Sequence, residues 1–114
     1  MSRDAAISRV TDYFEAGQFQ SDLADLVTYR SESQSDAPEA RSECQRYLEQ
    51  AMLPRLNALG FNCEIIDNPD PRGGPLLIGE RVEGDDLPTV LTYGHGDAVL
   101  GHDGMWRDGL SPWK

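Results

Sequence analysis

Ala6, Ile7, Val10 and Phe14 recur at spacings of three and four along the first stretch of the chain. That is the period of one helix face, so a helix is expected over 3–16, stopped by Gly17. A second helix is expected over 22–30, with Ser21 as its N-cap and Leu23, Leu26, Val27 and Tyr29 on its apolar side. The next run, SESQSDAPE, holds no apolar side chain larger than Ala. Nothing in it has apolar surface to bury, so it reads as a solvent-facing loop. The longest helix is expected over about 38–59, with Pro38 in its first turn, where a missing N–H does no harm. Cys44, Tyr47, Leu48, Ala51, Met52, Leu56 and Leu59 make its apolar stripe, which is read as core packing. Pro54 removes a backbone bond inside this helix and should bend it. Gly60 followed by Phe61 has the form of a C-terminal cap with its hydrophobic contact.

Beyond Gly60 the period changes to two. FNCEIID (61–67) places Phe61, Cys63 and Ile65 on one face of a strand. NPDPRGG then makes a turn, PLLIGERV (75–82) a second strand, and VEGDDLP a second turn. TVLTYGH (89–95) is expected to be a third strand, buried on both faces like a central one. From Gly94 onward five glycines, two tryptophans and two histidines follow no period, so a long loop is expected. The fold class predicted is α/β, with N-terminal helices packed on a mixed sheet. Domains usually close with an element that covers the last strand, and long structureless segments seldom end them. Residues 1–114 are therefore expected to be the N-terminal portion of a larger, incomplete domain.

Charge narrows the function classes. With 10 Lys+Arg against 20 Asp+Glu the formal charge is −10, which disfavours nucleic acid and anionic membrane surfaces as partners. No apolar run has the length of a signal peptide core or a membrane span. Cys44 and Cys63 show no metal-finger or redox spacing and are expected to be free thiols in a reducing, cytoplasmic setting.

One stretch carries candidate chemistry: Thr92-Tyr93-Gly94-His95-Gly96-Asp97. A neutral imidazole where a strand runs out can bind a metal through one nitrogen, provided its other N–H is held by an acceptor. Asp97, two residues on, is the candidate acceptor. Gly94 and Gly96 are expected to let the backbone approach an ion or bend sharply. His-x-Asp is also a common hydrogen-bonded surface pair, and one His with one carboxylate cannot complete a tetrahedral site. His102-Asp103 is a second such pair, read as a solvated loop histidine. Trp106 and Trp113 are expected to fold the loop back on the sheet.

The run VLTYGHGDAVLGHDGMWRDGLSPW resembles the stretch that carries the first metal ligand in a family of zinc-dependent amidohydrolases and peptidases. Aminoacylase, acetylornithine deacetylase, succinyl-diaminopimelate desuccinylase, carboxypeptidase G and the carnosinase-type dipeptidases belong to it. The resemblance is carried by Tyr93, Gly94, His95, Asp97, Trp106, Pro112 and Trp113, and by the upstream layout of helix, strand, turn, strand; Ala98 and Leu100 depart from the usual Val and Pro. It implies that His95 is a zinc ligand and that Asp97, a member of the catalytic centre, steadies the imidazole. It implies two zinc ions in a complete enzyme acting on a small peptide or N-acyl amino acid, and homodimerisation through another domain. The family pattern continues with a Gly-Arg-Gly stretch and a metal-bridging Asp, a Glu-Glu pair with the general base, and further ligands. The 114 residues contain none of these, so the chain by itself is expected to be inactive and need not hold zinc. Two other readings compete. One is a stand-alone acidic α/β interaction module without catalysis, recruiting partners at a sheet edge. The other is a structural metal site built from His95, Asp97 and His102.

Overall fold

The computed structural model describes residues 2–70 and 72–113. Met1, Lys114 and Pro71, the second proline of the NPDPRGG turn, lie outside the described residues.

The first helix, α1 (Arg3–Glu15), is opened by Ser2, whose hydroxyl accepts the Ala5 amide at 3.2 Å, and Asp4 in its first turn complements the helix dipole. Helix α2 spans Gln18–Val27, and its N-cap is Gly17 rather than Ser21, which lies inside the helix and donates its amide to the Gly17 carbonyl at 3.1 Å. The left-handed Gly17 lets the chain leave one helix and enter the next without a spacer, so the local serine signal is overridden. The two helices are joined by the Tyr13 hydroxyl, which donates to Asp22 at 2.5 Å. Phe19 packs between Tyr13 and Phe14, with centroids 6.4 and 5.9 Å away.

The long helix is two α segments, α3 (Ala40–Tyr47) and α4 (Leu53–Ala58), joined by a π-helical turn over Leu48–Met52. Pro54 explains the junction. Its ring would meet the carbonyl of Gln50 in an α-helical ladder, and it has no N–H to give. The wider turn takes up the mismatch, and the Leu53 amide bonds to the Leu48 carbonyl five residues back. The anticipated bend is thus a change of helical register. At the far end the Gly60 amide bonds the Asn57 carbonyl at 2.9 Å and the Phe61 amide bonds the Leu56 carbonyl at 3.1 Å. With Gly60 at φ 84°, this is the paired 5→2 and 6→1 bonding of a Schellman cap.

Strands β1 (Asn62–Ile66) and β2 (Leu76–Glu80) pair antiparallel, from Asn62 opposite Glu80 to Ile66 opposite Leu76. Phe61, Cys63 and Ile65 are half-buried while Asn62 and Glu64 are exposed, which is the alternation the sequence predicts. Helix α4 packs on β1. The α/β character holds, but the sheet among the described residues is this two-stranded ribbon. Residues 89–95 are not a strand: Val90, Leu91 and Tyr93 are 79%, 94% and 91% exposed. An apolar run becomes a central strand only where two neighbours and two covering layers receive it. A single hairpin with one helix against it cannot supply them.

The apolar surface is correspondingly uncovered. Among the described residues Ala51 is the one buried apolar side chain, and Leu59, expected in the core stripe, is exposed along with Ile7, Val10, Phe14 and Phe19. The accessible surface is 9320 Å², against roughly 6200 Å² for a compact monomer of this mass. The radius of gyration is 17.1 Å, against about 13 Å for a compact chain of this length. No helix of the described residues is long and apolar enough to cross a membrane.

Candidate functional site

The segment expected to be a solvent-facing loop is exposed at Ser33, Gln34, Asp36, Pro38 and Glu39, but its first two residues are buried, Ser31 5% exposed and Glu32 9%. The glycine-rich loop covers these two. Glu32 and Ala98 form an isolated parallel bridge, in which the Ala98 amide donates to the Ser31 carbonyl at 2.8 Å. The Ser31 hydroxyl donates to the Gly96 carbonyl at 2.8 Å, and the Gly101 amide donates to Glu32 Oε1 at 2.6 Å. Every buried polar group here has a partner, which is how a segment without apolar side chains can be interior. The sequence offered only a faint sign of this, Ser31 and Ser33 alternating about Glu32, since an extended strand puts alternate residues on one face.

Arg30 extends the clamp. Its guanidinium pairs with Asp103, lies 3.6 Å from Glu32, and stacks 4.9 Å from the centre of the Trp113 ring. The Trp113 indole donates to the other Asp103 oxygen at 2.7 Å. That bond, and then Arg30, hold the Asp103 carboxyl below the ordinary aspartate value. The Trp106 indole donates to the Gly101 carbonyl at 2.6 Å. The tryptophans therefore fold the loop onto itself and onto 30–32, not onto the sheet.

Within this frame His95 and Asp97 meet. His95 Nδ1 lies 3.0 Å from Asp97 Oδ1, and the Ser33 hydroxyl donates to Asp97 Oδ2 at 2.6 Å. The Ser33 bond is the largest cause holding Asp97 below the ordinary aspartate value; partial desolvation opposes it and the His95 contact adds to it. The imidazole is not packed in the interior: its side chain is 71% exposed, and Nε2 has no hydrogen-bond partner among the described residues. Gly96 is required for space, since a Cβ there would lie 2.3 Å from Tyr47 Cε1. Gly94 has nothing within 4 Å of the corresponding position, and the close approach that Gly96 allows is to the Tyr47 ring; neither glycine has a positive φ.

His102 does not join them. It sits at φ 49°, and its carbonyl accepts the Met105 amide at 2.8 Å to open a 3₁₀ turn over Asp103–Met105. Its neighbour Asp103 is taken by Arg30 and Trp113. Among the described residues no group of three or more His, Cys, Asp or Glu side chains is placed to hold a metal, and His95, Asp97 and His102 do not form one.

No family model, curated protein or solved structure matches the chain. The resemblance of residues 89–113 to the zinc amidohydrolases therefore rests on its motif.

A cleft of about 150 Å³ opens beside Ser33, lined also by Arg41, Cys44 and Arg72. Arg41 donates to the Gly73 carbonyl at 2.7 Å and pairs with Asp67 at 3.1 Å, and Arg72 pairs with Asp70 at 2.8 Å. Both cations already face carboxylates, so the cleft is no ready anion site. Cys44 and Cys63 are free thiols. Burial, and then the Asp97 and Glu43 charges, push the Cys44 thiol up. That is the opposite of an activated nucleophile.

Proposed function

We propose that this chain is the N-terminal part of the catalytic domain of a cytoplasmic, dinuclear zinc hydrolase that cleaves the amide bond of a small peptide or an N-acyl amino acid. The observation that carries the reading is the contact of His95 Nδ1 with Asp97 at 3.0 Å, on a ring that is 71% exposed and whose Nε2 is left unbonded among the described residues. A histidine ligand needs this arrangement: one nitrogen open to the metal, the other held by a carboxylate that fixes the ring and raises its basicity. The donor set fits one corner of a zinc site. His95 would hold the ion through Nε2, and Asp97 would support it without touching the substrate. Bound there with its other ligands, zinc supplies Lewis-acid polarisation of the scissile carbonyl. The bridging carboxylate, the general base and the remaining ligands belong to polypeptide beyond these residues. The uncovered apolar faces of α1, α2 and 89–93 agree with a domain whose other layers lie elsewhere.

The test is an extended reading frame. A Gly-Arg-Gly-x-x-Asp stretch soon after Lys114 is expected, and the encoded protein should hydrolyse dipeptides or N-acyl amino acids only with zinc. His95→Ala should remove activity and one metal. Asp97→Ala should weaken zinc binding by about 10–100-fold. Zinc stoichiometry unchanged in His95→Ala would overturn the reading. A non-catalytic interaction module is favoured by one observation, the exposed run at Val90, Leu91 and Tyr93. A reading frame that stops at Lys114, with zinc binding absent, would select it.

A further inference from the structure

Asp97 has two carboxylate oxygens and both are committed, one to His95 Nδ1 at 3.0 Å and one to the Ser33 hydroxyl at 2.6 Å. We propose that Ser33 is a positioning residue which, through Asp97, fixes the tautomer and direction of the His95 ring.

A carboxylate only accepts, so His95 must carry its proton on Nδ1 to bond with it, and the lone pair is left on Nε2. An unrestrained imidazole in water prefers the opposite tautomer, with the proton on Nε2. The Asp97 contact must overcome that preference, and it does so only while the carboxylate stays in the right plane. The terminal torsion of an aspartate is broad and roughly two-fold. With its side chain 42% exposed, Asp97 has too little packing to lock the torsion. The Ser33 bond is what locks it.

Ser33 can do this because its own backbone is anchored. The residues flanking Asp97 are both tied to Ser31: Gly96 accepts from its hydroxyl at 2.8 Å, and Ala98 donates to its carbonyl at 2.8 Å. The Glu32–Ala98 bridge sets the register of the two segments, so residue 33 falls where its hydroxyl reaches residue 97. Tyr47, packed against Gly96, closes the other side. A seryl hydroxyl about sixty-four residues away in sequence thus becomes the outermost member of a Ser–Asp–His chain.

The functional meaning rests on the reading of His95 as a zinc ligand, but the tautomer does not, and the experiment separates them. The 114-residue chain is labelled with ¹⁵N and studied without metal at a pH where imidazole is neutral. Long-range ¹H–¹⁵N correlation of the ring nitrogens reports the tautomer, with His102 as internal reference. In the unaltered chain His95 should carry its proton mainly on Nδ1. The decisive pair is Ser33→Thr and Ser33→Val, which share shape and differ in the hydroxyl. Ser33→Thr should keep the Nδ1–H form, while Ser33→Val moves the ratio toward Nε2–H by about two- to ten-fold, as expected for one net hydrogen bond. Asp97→Ala should move it at least as far, and His102 should not change in any variant. Equal tautomer ratios in the Thr and Val variants, or an unaltered chain already mainly Nε2–H, would overturn the proposal. Zinc is then added to the protein encoded by the extended reading frame. If His95 reports no zinc there although its tautomer follows Ser33, the positioning role stands and the hydrolase reading fails.

Discussion

Gly96→Ala tests whether the His95–Asp97 segment is held as tightly as its geometry says. An added Cβ would lie 2.3 Å from Tyr47 Cε1, 2.9 Å from Cζ and 3.0 Å from the hydroxyl oxygen. Carbon atoms at rest sit about 3.5–4.0 Å apart, so ring and backbone must separate by roughly an ångström. Tyr47 cannot swing freely, because its ring is half-buried and packs edge-on against Tyr29 with centroids 5.8 Å apart. Tyr29 in turn carries the Arg46 guanidinium 4.7 Å from its centre. The segment should therefore lift, stretching the 2.8 Å bonds from Gly96 and Ala98 to Ser31 beyond hydrogen-bond range. Overpacking of this kind costs about 1–3 kcal/mol, or roughly 5- to 150-fold in the local opening equilibrium. Hydrogen exchange of the Ala98 amide reads that equilibrium directly. Protection should fall in Gly96→Ala and return in part when Tyr47→Ala is added, a coupling between neighbours that a double-mutant cycle isolates. Gly94→Ala, with open space around it, should leave exchange unchanged. If the Gly96 and Gly94 variants exchange alike, the close approach of Tyr47 is not what holds the segment.

Three further outcomes are expected. The Asp103 carboxyl is held below its ordinary value by Trp113 and then Arg30; its contribution is therefore fully present above the unfolded value of about 3.9 and fades as pH falls through the lower folded value. Trp fluorescence should show an acid step near there that disappears in Asp103→Asn, and a step retained in that variant would assign it elsewhere. Because burial raises the Cys44 thiol, iodoacetamide at pH 8 should label Cys44 more slowly than free cysteine, with the rate climbing at more alkaline pH; peptide mapping by mass spectrometry gives the comparison, and labelling at the free-thiol rate would contradict the burial. Gly60→Ala, at φ 84° with only the Arg81 side chain near, should lose about 1 kcal/mol of helix-end stability from backbone strain alone, seen as an earlier loss of helical circular dichroism on heating.

Much of the local structure was legible because it is decided locally. The 3- and 4-residue spacing of Ile7, Val10 and Phe14 gave α1 almost to the residue, Gly60-Phe61 gave the cap, and the alternation about Cys63 gave β1 with its exposed and half-buried sides. The misses share another cause. Ser21 is a good cap that a left-handed Gly17 pre-empted. Ser31 and Glu32 are polar, and polarity read along the chain says surface; they are interior because partners near residues 96–101 satisfy them, and no window of ten or twenty residues contains both sides of that bargain. Residues 89–95 failed in the opposite sense, since apolar content asks for cover but cannot summon the layers that provide it. In the candidate site, His95 and Asp97 could be named from their spacing, whereas the hydroxyl behind them needed three dimensions.

The π turn ahead of Pro54 has a consequence for how one rod of chain addresses two neighbours. A π turn carries one residue more than the α-helical path it interrupts, and each residue advances the helix by about 100°. The faces before and after Leu48–Met52 are therefore rotated out of line. Tyr47, before the turn, meets the glycine loop at Gly96, while α4, after it, lies on β1. The proline that looks like a flaw in the helix thus acts as a gear, turning the upstream half toward the histidine loop while the downstream half stays seated on the hairpin.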